Sequence, residues 1–162
     1  MALRPHLFYG VSLEAVRHNE GGAMTSHNNR SDDADEIRDL IGRLSHLSDH
    51  GLLSELDEYA NCFTEDGIFE MPTETRRGRD DIRAGSKERR TDSGPEVQTR
   101  HLVGSISIDF DGDDDATAES NFLFGGPGPD GKAAVLLIGH YTDWFRRTPD
   151  GWKFAHRKIS FT

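Results

Sequence analysis

Apolar and polar positions follow two rhythms along this chain, helical in its first half and strand-like in its second. Ile37, Leu40, Ile41, Leu44 and Leu47 recur at the spacing of one helical stripe. Asp33 is a suitable cap for this helix, and His50-Gly51 ends it. Leu52, Leu53, Leu56, Tyr59, Ala60 and Phe63 predict a second helix immediately after, making a helical hairpin or a sharp corner. Gly67 to Pro72 alternates and is closed by proline, a short strand. Gly78-Arg79-Asp80-Asp81-Ile82 opens a third, very polar helix that runs to about Arg90 before Ser93-Gly94-Pro95 breaks it.

Four longer strands follow: Val97 to Phe110, Ala116 to Phe124, Ala133 to Arg147 and Trp152 to Phe161. Asp111-Gly112-Asp113, the glycine- and proline-rich run Gly125 to Gly131, and Thr148-Pro149-Asp150-Gly151 are the turns between them. Short links between consecutive strands predict an antiparallel meander. Helices first and long strands last predict an α+β fold, with helices covering one face of a strongly bent antiparallel sheet and a pocket between. The third long strand is apolar on both parities: Val135, Leu137, Gly139, Tyr141 and Phe145 on one, Ala134, Leu136, Ile138 and Trp144 on the other. A sheet covered on one face alternates more cleanly. The second apolar face therefore predicts subunit association, a homo-oligomer.

Met1 to Asp33 differs from the rest, being rich in His, Asn, Gly and Ser with no sustained apolar period. It reads as a flexible tail, residues 1–33, ahead of a domain spanning 34–162. Met24 marks an alternative start. The 162 residues suffice for one domain with a self-sufficient core. The single cysteine, Cys62, lies in an apolar pattern and reads as a core residue. A formal net charge of -10 argues against nucleic acid and against anionic membrane surfaces as partners. The chain has no apolar run of membrane-spanning length and no secretory leader pattern, so a cytoplasmic location is expected. It has no phosphate loop and no paired zinc-ligand motif, and no metal, nucleotide or flavin is expected. The acidic run Asp109 to Asp115 lacks the closing glutamate of a calcium loop and reads as a solvated hairpin turn.

Three residues offer chemistry together. Asp49 lies at the junction of the first two helices, His101 opens a long strand, and Arg157 lies in the last strand. A histidine titrates near neutral pH and can take a proton from carbon beside a carbonyl. A carboxylate on its other ring nitrogen fixes the tautomer. An arginine can hold an enolate or a departing anion. Each residue also has a plain structural alternative. Asp49 can cap the second helix. His101 can be an exposed strand end, and Arg157 can be surface charge beside Lys158. Strict alternation puts His101 opposite Ile106, Ile108 and Phe110, so an inward His101 requires a bulge near Gly104-Ser105. Phe69, Met71, Phe122, Phe124, Leu137 and Tyr141 are core residues by default and candidate walls of a substrate pocket. His140 and His156 sit in strands, facing either the pocket or a subunit contact.

Ile37-Arg38-Asp39-Leu40, Ser48-Asp49 and Leu56 to Gly67 resemble the opening of SnoaL-like domains. Gly78 to Ile82, Thr99-Arg100-His101, His140 to Asp143 and Asp150 to Phe154 continue the resemblance in order, from about Asp35 to Thr162. It implies a cone-shaped α+β barrel, as in nuclear transport factor 2, scytalone dehydratase and ketosteroid isomerase. In site layout the chain looks most like hexachlorocyclohexane dehydrochlorinase and bile acid 7α-dehydratase. That likeness implies that His101 abstracts a substrate proton, Asp49 orients it, and Arg157 completes the site. It also implies dimers or trimers. Leu44 departs from the pattern, since those enzymes carry a polar Tyr or Lys there; His46, one turn from Asp49, is the candidate replacement. The implied activity is a cofactor-independent lyase or isomerase of dehydratase type on a small hydrophobic, polycyclic-sized metabolite in an enclosed pocket. The alternatives are a polyketide cyclase, a simple ligand-binding protein, or a structural subunit like the small subunits of ring-hydroxylating dioxygenases.

Overall fold

Asp33 caps no helix in the computed structural model, which describes residues 23–93 and 99–162; it lies inside one. Helix α1 spans Ala23–His50. The helix begins before the expected cap at Asp33, and residues 1–22 of the expected tail lie outside the described residues. Asp33 and Glu36 tie the helix to the last two strands. The Asp33 carboxylate accepts from the Trp152 indole Nε1 at 3.2 Å and also from Arg147. Glu36 accepts from the Trp152 backbone N–H at 2.8 Å. These ties fix Asp33 and Glu36 inside the helix, where the sequence pattern placed a cap. Further on, Ile37, Ile41, Leu44 and Leu47 bury the expected stripe.

The second predicted helix is broken in two. Leu53–Glu55 is a single 3-10 turn and α2 spans only Leu56–Ala60. Leu52 and Leu53 remain exposed, and Phe63 starts a strand instead of closing a helix. The remaining elements are β1 (Phe63–Met71), β2 (Glu74–Arg77), α3 (Arg79–Ser93), β3 (Arg100–Asp111), β4 (Asp115–Pro127), β5 (Ala133–Thr148) and β6 (Gly151–Phe161). The six strands form one open, curved sheet in the order β2-β1-β6-β5-β4-β3. The meander from β3 to β6 is antiparallel as expected, but β1 and β6 run parallel, so the sheet is mixed. No short turn joins those two strands, and nothing forces them antiparallel.

The inner face of the sheet packs against α1 through Phe63, Phe145, Trp152 and Phe154. Two strands change phase along their length. In β3 the pairing register shifts between Gly104 and Ser107, and Ser105 adopts a φ of 53°. This is the bulge that an inward His101 requires, and it lets Val103, Ile106, Ile108 and Phe110 all pack on the core. In β6, Phe154 pairs with Phe145 but His156 pairs with Trp144, so Ala155 is the extra residue. Trp152 and Phe154 before it and Arg157 after it are all buried. On the outer face, Leu102, Leu123 and Ile138 are cross-strand neighbours in one exposed row.

Candidate active site

Asp49 occupies the last turn of α1, and His101 is the second residue of β3. The Asp49 carboxylate accepts the His101 backbone N–H at 2.9 and 3.1 Å. Its Oδ1 lies 2.6 Å from His101 Nδ1. Helix capping is therefore not what Asp49 does; both oxygens are spent on one histidine. The carboxylate is 5% exposed and the imidazole 21%, so the acid is sealed behind a ring that still meets the cavity. Phe124 flanks the ring with centroids 4.8 Å apart, and Phe122 lies at 6.3 Å.

The two residues line a cavity of about 280 Å³ whose walls include Leu44, Tyr59, Phe69, Met71, Phe124, Tyr141 and Ile159. That is near the lower end of the roughly 300–1,000 Å³ usual for small-molecule sites. Such a space suits one or two rings better than a larger polycycle. Among the described residues the cavity is not fully enclosed, because an open sheet with helices on one face leaves a side uncovered.

Arg157 reaches the cavity wall, but its guanidinium has a partner of its own. Nε donates to Asp143 Oδ1 at 2.8 Å and Nη2 to Asp143 Oδ2 at 2.7 Å, in a pair that is essentially buried. The neighbouring carboxylate holds Arg157 firmly protonated, against the effect of burial. Its Cζ also sits 4.1 Å from the Tyr141 ring centroid and 4.5 Å from that of Phe154. Arg157 is thus first a brace under the aromatic wall, and the expectation of a free anion-binding arginine is corrected. Burial pushes the Tyr141 phenol up to about 12, which leaves a neutral hydroxyl at the wall.

Three expected wall residues lie elsewhere. His46 is exposed and lines a separate, more open groove where α1 meets Glu58 and Lys153. Two positions beyond the buried Leu44, it is carried to the far side of the helix, so it cannot replace the missing polar group. Phe122 is buried behind the wall, stacked on Tyr141 at 4.2 Å. Its ring covers Gly139, where an added Cβ would come within 2.4 Å of it. Leu137 pairs with Phe124 across the sheet but does not reach the cavity. His140 and His156 are outer-face residues, paired with Glu119 and Glu70 respectively. Cys62 is buried, and burial keeps its thiol protonated.

Tyr59, Asp143, Arg89 and Arg90 at or behind the wall were not anticipated. An acid at the inward parity of β5, between Tyr141 and Phe145, was the available sign of Asp143. The arginines had none, because α3 shows too little apolar periodicity to fix its inward face. Among the described residues no three His, Cys, Asp or Glu side chains converge to hold a metal ion. No helix among them is long and apolar enough to cross a membrane.

A carboxylate-held histidine at the mouth of a small cavity, under a bent sheet roofed by helices, defines a class of α+β pocket proteins. The chain belongs to the SnoaL-like domain family, whose sequence profile matches residues 29–158. No curated protein matches it. Among solved structures it resembles a point variant of Rv3472 from Mycobacterium tuberculosis, a protein of unknown function. That likeness has 26% identity and a TM-score of 0.75, covering 87% of this chain and 78% of that one. An NTF2-like protein with a cystatin-like fold from Novosphingobium aromaticivorans shares 24% identity at a TM-score of 0.76, covering 85% and 87% of the two chains. A Catenulispora acidiphila protein in complex with S-DNPA shares 27% identity at 0.67, covering 79% and 92%.

Proposed function

We propose that this protein is a cofactor-independent lyase or isomerase of dehydratase type, acting on a compact hydrophobic ring compound. The observation that carries this is the 2.6 Å contact between Asp49 and His101 Nδ1 at the wall of the cavity. A carboxylate there favours the tautomer with hydrogen on Nδ1 and a lone pair on Nε2. Nε2 then removes a proton from carbon beside a carbonyl, and Asp49 stabilises the imidazolium. The electron pair moves onto the carbonyl oxygen, where the neutral Tyr141 phenol is a suitable donor. As the enolate collapses, a carbon–oxygen bond at the β position breaks. The imidazolium proton leaves with the hydroxyl as water, and a conjugated double bond remains. Arg157 supports this by fixing the Tyr141 ring. Self-association belongs to the same proposal: a dimer or trimer would cover the exposed row Leu102, Leu123 and Ile138.

The test uses bicyclic β-hydroxyketones in deuterated water, followed by NMR for exchange at the α carbon and by ultraviolet absorbance for the conjugated product. The expected result is turnover that falls on the order of 10²–10⁴-fold in His101→Gln. Equal rates for the two proteins would exclude His101 as the base.

A further inference from the structure

The chain carries a formal net charge of -10, yet among the described residues its cavity is lined by three arginines, Arg89, Arg90 and Arg157, and one carboxylate, Asp49. Two of the arginines are neutralised from behind the wall. Arg157 is held by Asp143, and Arg89 donates to Glu74 Oε1 at 2.8 Å. Arg90 has no carboxylate within ion-pair distance among the described residues. Its Nη2 donates to the Leu47 carbonyl at 2.9 Å, its Nη1 to the Leu52 carbonyl, and its Cζ lies 5.4 Å from the Tyr59 ring centroid. Burial loosens its hold on its proton, and Tyr59 and Glu55 offset this only in part.

Those two carbonyls need only neutral donors, and they use two of the five N–H groups of a guanidinium. A half-buried permanent charge without an anion is a standing cost, unless a ligand supplies the anion. A planar fork with unused donors beside aromatic walls matches a carboxylate on a ring compound. We propose that the ligand of this cavity carries a carboxylate and that Arg90 binds it, with the apolar ring lying between Tyr59, Phe69 and the His101 ring. Binding energy from that remote group would then orient the reacting carbon at His101. This rests on the cavity being the substrate site, and it narrows the substrate to an amphipathic acid.

The experiment is titration calorimetry with 2-naphthoate and its neutral counterpart 2-naphthamide, on the full chain and on Arg90→Gln and Arg90→Lys. Glutamine retains a neutral donor for the carbonyls, and lysine retains the charge. The wild type should prefer naphthoate by about tenfold or more, as a hydrogen bond to a charged group warrants. Arg90→Gln should lose that preference, and Arg90→Lys should keep part of it. A purely structural Arg90 would weaken both probes equally and leave their ratio unchanged, which would overturn the proposal. Equal affinities in the wild type, or no binding of either probe, would overturn it too. The two proposals fail separately. Naphthoate preference with no His101-dependent proton exchange removes the lyase alone, and His101-dependent exchange without the preference removes the Arg90 anchor alone.

Discussion

His101–Asp49 and His156–Glu70 bring the same two functional groups together on opposite faces of one sheet. Inside, the contact is 2.6 Å and the carboxylate is 5% exposed. Outside, it is 3.0 Å and the carboxylate is 32% exposed. Glu70 also shares its charge with Lys158 at 3.3 Å, and His156 stacks on Trp144 at 4.7 Å. Water and a lysine compete for the outer carboxylate, so it holds its histidine weakly. Among the described residues the inner carboxylate has a single partner residue, which it grips by ring and backbone alike. A histidine beside an acid is thus not in itself a reactive pair; burial of the acid and a cavity at the ring make the difference.

The sharpest way to break this comparison is to neutralise each acid in turn. Asp49→Asn should lower turnover on the order of 10²–10⁴-fold by releasing the tautomer, while Glu70→Gln leaves it unchanged. Steady-state rates on the same ketones decide it. Next in size is stability. Asp143→Ala strands the buried Arg157 charge and should cost about 3–5 kcal/mol in denaturant unfolding. Removing Glu70 from its exposed pairs should leave the unfolding midpoint nearly unchanged. Smaller than the Asp143 loss, Gly139→Ala pushes the Phe122 ring and meets the Ser160 carbonyl at 2.7 Å. Overpacking of this kind costs about 1–3 kcal/mol, and it should also disturb the Tyr141 and His101 rings, visible as shifted aromatic NMR signals.

The last effect shows only in alkali. Tyr141 is raised from 10.0 to about 12 by burial, so the folded state keeps a proton that the unfolded chain releases sooner. Its contribution to stability is complete below pH 10 and is lost as pH rises toward 12. Tyr141→Phe should flatten that part of the stability profile, measured by denaturant titration across the alkaline range.

Asp49 and His101 were legible because each stands at the end of a strongly patterned element, and because the bulge that aims His101 had a glycine to announce it. The long strands were legible because apolar and aromatic runs of strand length stand between turns marked by glycine and proline. What escaped was whatever depends on tertiary partners. Polar β2 exists only because β1 offers it a hairpin edge. The middle of α1 is tied to the sheet by Asp33 and Glu36, which reach for Trp152 and Arg147. Arg157 was picked out by position, but its role depended on Asp143, a cross-strand neighbour fourteen residues away whose charge disappears from view once paired. His46 failed because proximity along a helix is not proximity across it.

The extra residues in β3 and β6 have a consequence for how this scaffold changes. Residues on either side of Ser105 are counted in different frames, odd numbers facing inward before it and even numbers after it. Ala155 performs the opposite change in β6. Whether His101 and Arg157 belong to the interior is therefore settled by arithmetic in the chain, not by their own chemistry. A single-residue deletion at either place would turn a histidine or an arginine out to solvent without altering any side chain. Insertions and deletions are usually regarded as loop events. Here they would act inside strands as a coarse dial, switching the site off or aiming a new pair of side chains into the same cavity.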